Sequence, residues 1–148
     1  MKYIRIMLIL TLLLGVGLTA LAIPKLTIQW KMLQELNVKT GQATDALKNL
    51  RGKLVRLPGY IVPLEGDDNT VSQFLLVPTL GACIHVPPPP PNQIVMVNMQ
   101  QAISSDFMFF PVWVTGAFHI EQKTNEIAEA GFFMEGKEVE PYNSNNPF

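Results

Sequence analysis

The chain is poor in the residues that carry most enzyme chemistry. Among 148 residues there is one cysteine, Cys83, and there are two histidines, His85 and His119. A lone cysteine excludes an intramolecular disulfide framework and a C-x-x-C redox or zinc motif. G-x-S-x-G, H-E-x-x-H and a phosphate-cradling glycine loop are missing as well. Charge is scarce: 16% of residues are Asp, Glu, Lys or Arg, eleven basic against twelve acidic, for a formal net charge of -1. That balance lacks the basic footprint of a protein that binds nucleic acid. No internal repeat is present.

What the chain does have is apolar and turn-rich. Hydrophobic residues make up 48%, with twelve prolines and ten glycines. The apolar fraction is that of a folded protein, the length that of one domain, and the punctuation that of short elements. The first residues direct the rest. Lys2 and Arg5 precede an apolar run from Ile6 to Leu14, and Ala20-Leu21-Ala22 follows. This is the pattern of a secretory signal peptide over residues 1–22. Cleavage after Ala22 leaves nine basic residues against twelve acidic ones. The alternative is a retained inner-membrane anchor, since Ile6 to Ile23 is 18 residues, at the lower edge of a bilayer span. Either reading sends the body to an extracytoplasmic space, a bacterial periplasm in the simplest case.

Thr27 to Leu36 spaces Trp30, Leu33 and Leu36 as one helical stripe, and Asp45 to Leu50 reads as a helical turn stopped by Gly52. Together they make a lead-in over residues 23–50. From Leu54 the periods become those of strands: Leu54 to Leu64, with a bulge or bend at Pro58-Gly59, then Val71 to Leu80, a short segment Ala82 to Val86, and Gln93 to Met99. Gln100 to Phe110 reads as irregular, with room for one helical turn ending at an aromatic cluster. Val112 to Gln122 alternates cleanly, and Ile127 to Met134 reads as the last strand. Residues 51–142 therefore predict a mainly β (α+β) fold, a small five-stranded barrel of the OB type with a short N-terminal amphipathic helix. A small β-sandwich is the alternative, and residues 143–148 are a tail.

One segment could carry chemistry. Gly81 to Gln93 reads GACIHVPPPPPNQ. Pro87, Pro88, Pro89, Pro90 and Pro91 predict a polyproline II rod of about 16 Å. With Asn92 it reads either as a ridge that docks a partner or as a stiff connector. Cys83 and His85 stand at i and i+2, on one face of an extended chain and about 7 Å apart. A thiolate and an imidazole there make half of a zinc or copper site. His119 is the remaining imidazole, and Glu65, Asp67 and Asp68 offer carboxylates. Two other readings stay open: a buried, inert Cys83, or a thiol activated by His85 in a thiol-dependent enzyme, with Asn92 as orienting group. Met96, Met99, Met108 and Met134 read as core filler.

Three blocks carry a family resemblance: LRGKLVRLPGYIVPLE at Leu50 to Glu65, FLLVPTLGACIHVPPPPPNQIV at Phe74 to Val95, and Pro111 to Tyr142. With the Trp30-Lys31-Met32-Leu33 lead-in, they make the chain similar to the domain of unknown function 3299 family of small bacterial envelope proteins. The resemblance implies a periplasmic accessory protein without an established activity. It also implies, as partner, an inner-membrane ABC-type transporter or a periplasmic metal-binding protein. It favours metal contact at Cys83 and His85, with His119 as the further candidate ligand and zinc as one candidate metal, without identifying the metal.

Overall fold

One long strand organises the molecule. The computed structural model describes residues 24–67, 69–79 and 89–143, and within them β2, Leu54–Gly66, serves two neighbours in turn. The short strand β1, Leu26–Thr27, lies parallel to it at Val55 and Arg56. The other strands are β3 (Thr70–Val77), β4 (Val95–Ser104), β5 (Val112–His119), β6 (Lys123–Thr124), β7 (Glu129–Ala130) and β8 (Phe132–Pro141). The first half of β2 pairs with β5, from Leu54 opposite Ala117 to Gly59 opposite Val112. The second half pairs with β3, from Tyr60 opposite Val77 onward. The ring β2-β3-β4-β8-β5-β2 closes into a five-stranded barrel, parallel only between β4 and β8. This is the OB-type order, and a closed ring excludes the two-sheet sandwich.

Pro58-Gly59 is not the bulge its residues suggested. Register is unbroken there, with Pro58 opposite Trp113 and Gly59 opposite Val112. The strand changes partner at this point, from β5 to β3. A Cβ on Gly59 would lie 2.8 Å from the Leu76 side chain and 2.9 Å from the Val77 carbonyl. The register shifts of β2 fall instead between Pro63 and Gly66.

Alternation sorts the side chains. Phe74, Leu76, Val95, Val97, Val114 and Phe118 point inward and are fully buried. The lead-in closes over this core. Helix α1 (Trp30–Leu33) and the residues after it bury Trp30, Leu33 and Leu36, the predicted stripe, although the helix is one turn rather than ten residues. It stops because Asn37 takes over: its side-chain oxygen accepts from the Lys39 and Thr40 backbone N–H groups. Helix α2 (Asp45–Lys48) is capped by Thr44, whose hydroxyl accepts from Leu47 N–H. Gly52 ends that turn at φ 71, a conformation glycine adopts without strain.

Two boundaries moved furthest. The segment expected to be irregular with one helical turn has that turn, a 3-10 turn at Ser105–Phe109 whose Phe107 and Met108 pack on the core, but its first residues extend β4 to Ser104. The last strand is Phe132–Pro141 rather than Ile127–Met134. Its solvent face carries Glu135, Lys137 and Glu138, so its sequence looks like a turn. Pairing with both β4 and β5 holds it extended.

Trp30 ties lead-in to barrel: its indole Nε1 donates to the Pro58 carbonyl at 2.6 Å, in a buried setting. Trp30→Phe keeps a ring but orphans that carbonyl. We expect a loss of about 1–2 kcal/mol, read as a lowered thermal midpoint by circular dichroism. An unchanged midpoint would mean that the hydrogen bond contributes nothing.

Candidate functional site

The outward face of β5 carries an aromatic where alternation leads one to expect a polar side chain. Val112, Val114 and Phe118 fill the barrel, so Trp113 faces out and is half-buried. Three neighbours fix it. The Arg56 guanidinium lies 4.3 Å from the ring centroid, a cation–π contact. Glu140 holds that guanidinium from β8, at 3.4 Å. Tyr142, just past β8, lies 5.0 Å from Trp113 with its ring tilted 49°. The Tyr142 backbone is anchored by its N–H donating to the Pro111 carbonyl at 2.9 Å.

A groove of about 520 Å³ opens beside this pair. Trp113, Tyr142 and Trp30 line it together with Pro58 and Pro78. Both tryptophans of the chain thus border one cavity. Among the described residues the polar lining is Thr27, Lys31, Gln29, Gln34 and Gln93, with no carboxylate. Gln93 is held in place, its amide nitrogen donating to the Asn92 carbonyl at 2.9 Å and the Trp30 carbonyl at 3.5 Å. The geometry suits holding an apolar or amphipathic ligand rather than performing proton transfer.

The face on which OB barrels commonly bind is used differently. Such barrels read their ligands on the second and third strands and the adjoining loops. Here the outer face of β2, β3 and β4 carries Tyr60, Val62, Leu64, Leu75, Val77 and Met96, and the β6–β7 hairpin packs Ala128 and Ala130 onto it. The hairpin is braced by Asn125, whose side-chain oxygen accepts from Ile127 N–H at 2.7 Å and Ala128 N–H at 2.9 Å. Its base is tied by Gly131 N–H donating to the Pro91 carbonyl at 2.7 Å.

The residues singled out from sequence fare unequally. Cys83, His85, Pro87 and Pro88 lie outside the described residues, as does Asp68. The described residues stop at Thr79 and resume at Pro89, and Pro78 and Gln93, near these two ends, both line the groove. Pro90 has polyproline II angles, φ -63 and ψ 154, but Pro91 already belongs to a 3-10 turn, Pro91–Gln93. The rod therefore ends at Pro90. Its last proline yields because the Pro91 carbonyl turns to accept from Ile94 and Gly131 N–H. Asn92 points back into its own chain, its amide donating to the Leu36 carbonyl at 3.0 Å and the Gln34 carbonyl at 3.4 Å.

His119 ends β5, with Nε2 3.7 Å from Glu135 Oε1 and the ring 6.0 Å from that of Phe133. Its Nε2 is shielded from solvent and makes no hydrogen bond among the described residues. Asp67 is spent on its own turn. Asn69 N–H, Thr70 N–H and the Thr70 hydroxyl all donate to it, which holds its carboxyl below the ordinary aspartate value. Among the described residues, no three His, Cys, Asp or Glu side chains gather as a metal site. Sequence reasoning missed Trp113, Arg56 and Tyr142. The available signal was a tryptophan on the polar side of an alternating strand.

Comparison with known proteins agrees with this architecture. The family model described as "Protein of unknown function (DUF3299)" matches residues 24–141. The crystal structure of a DUF3299 family protein from Pseudomonas aeruginosa PAO1, at 2.45 Å resolution, is 34% identical in sequence with a TM-score of 0.70. The match covers 83% of this chain and 99% of that one. No curated protein matches. A family model spanning most of the chain and a solved relative of the same shape agree, and the chain belongs to the DUF3299 family.

Proposed function

We propose that the chain is a binding module of the bacterial cell envelope, serving a partner through the groove of Trp113, Tyr142 and Trp30. One observation carries the reading: an outward-facing tryptophan is locked by Arg56 and Tyr142 beside an amide-lined cavity. A strand that needed only to be soluble would carry a polar residue there. Preorganised aromatics lose little freedom on binding, which is why they anchor recognition sites. The leader from Lys2 to Ala22 supports export to the periplasm, by cleavage or as an anchor. Among the described residues, no helix is long and apolar enough to cross a membrane.

Zinc handling for an ABC-type transport system is the finer reading. It rests on the thiolate–imidazole pair Cys83 and His85, in a segment whose neighbours Pro78 and Gln93 border the groove. One experiment separates the two readings. Untagged protein, Trp113→Ala and the Cys83→Ala/His85→Ala double variant are isolated from the producing bacterium after cross-linking. Metal content and cross-linked partner are then measured on each. We expect a stoichiometric partner on the wild type that falls at least tenfold in Trp113→Ala. Zinc that disappears only in the double variant would support metal handling. Equal partner recovery from wild type and Trp113→Ala would refute the groove reading.

A further inference from the structure

We infer that the groove takes a proline-rich segment of a partner protein in polyproline II conformation, an inference that rests on the binding-module reading above. Donor and acceptor chemistry selects this ligand. A run of prolines has backbone carbonyls but no N–H, so it can only accept hydrogen bonds. The groove offers matching donors: the ammonium of Lys31 and the amides of Gln29 and Gln34, all on exposed residues. Among the described residues it offers no carboxylate, the acceptor-only group that a ligand of carbonyls would meet with repulsion and that a sugar's hydroxyls would favour.

Shape agrees with the polar chemistry. Trp113 and Tyr142 meet at 49° rather than lying flat, and Pro58 and Pro78 line the same groove. The surface is ridged and ring-lined, the kind against which the successive rings of a three-residue-per-turn helix pack. Such a ligand is already extended before it binds, so little ordering entropy opposes the contact. The Trp30 indole does not compete for ligand carbonyls, because its N–H is committed to Pro58.

The test uses the full mature chain and a blocked decaproline peptide, titrated by isothermal calorimetry. A Gly/Ser peptide of equal length and a neutral chito-oligosaccharide serve as rivals. Intrinsic fluorescence gives a second readout, since both tryptophans line the groove. We expect saturable decaproline binding at least tenfold tighter than the Gly/Ser peptide. Trp113→Ala should weaken it at least tenfold. Because that variant could disturb β5, exposed Gln34→Glu is the second probe. By adding an acceptor it should weaken decaproline binding at least threefold while leaving the thermal midpoint unchanged. Phe109→Ala, at an exposed position away from the groove, should change nothing.

Decaproline binding no better than Gly/Ser, or undiminished in both groove variants, overturns the inference. So does oligosaccharide binding that Gln34→Glu strengthens, or self-association in sedimentation velocity that decaproline fails to dissolve. These failures differ from failure of the module reading. Loss of the cross-linked partner in Trp113→Ala together with no decaproline binding keeps the module and removes only the ligand class.

Discussion

Gly116→Val is expected to cost about 3 kcal/mol, near the upper end for an overpacked core position. Gly116 sits where β5 meets β8, at the register shift between Thr115 and Gly116. A Cβ there would stand 2.4 Å from the Glu135 carbonyl oxygen and 2.6 Å from Met134 Cγ. The nearer obstacle is backbone, so no rotamer change relieves it. The β5–β8 seam is also one of the joints that close the ring, because β5 pairs with β2 on its other side. Pushing β8 away strains both joints. Against a domain stability of about 5–15 kcal/mol, the thermal midpoint should fall by about 10 °C. Scanning calorimetry on wild type and variant checks this. A fall of less than about 3 °C would show that the strands part at that point without loss.

Much of the barrel was legible because a barrel's interior enforces alternation. Val112 to Phe118 announced its faces, and Val95 and Val97 announced theirs, since each inward position must be apolar. The stripe of Trp30, Leu33 and Leu36 was legible for the same reason, at a helical spacing. Legibility ended where pairing overrode local preference. Lys137 to Glu140 has the composition of a turn, yet pairing with β5 at Glu138, Val139 and Glu140 holds it extended. The partner exchange at Pro58-Gly59 could not be read either, because proline and glycine signal an interruption without saying which neighbour is lost and which gained.

The candidate site was harder still. Reactive side chains drew attention to Cys83, His85 and His119. The groove is made of aromatics, prolines and amides that lie far apart in sequence, Pro58, Trp113 and Tyr142 among them. Their meeting depends on the register of β2, β5 and β8, which no local pattern specifies. Asn92 illustrates the same limit. Its position after five prolines suggested a surface contact, and its amide instead holds the Leu36 carbonyl of its own chain.

Ala130→Asp is expected to uncover the barrel's second apolar face while leaving the barrel itself standing. Ala130 is fully buried, on the β7 strand of the hairpin that covers Leu75 and Val77. A carboxylate cannot remain there unpaired, and a buried, unpaired charge costs several kcal/mol. The chain has a cheaper route, which is to lift the hairpin. The hairpin buries only the small side chains Ala128 and Ala130 against that face. At about 0.8 kcal/mol per buried carbon group, its docking is worth only about 2–3 kcal/mol with its hydrogen bonds. Detachment therefore caps the cost below that of burying the charge, as expected for a locally cooperative unit. Leu75 and Val77 would then meet solvent beside the already half-exposed Tyr60, Val62, Leu64 and Met96, and binding of the dye ANS should rise several-fold with far-UV circular dichroism nearly unchanged. Amide exchange should speed up at Thr124 and Glu129 and stay slow at Val114 and Phe118. Global unfolding of the variant would instead mean that hairpin and barrel form one cooperative unit, and that the covered face is an inseparable part of the core.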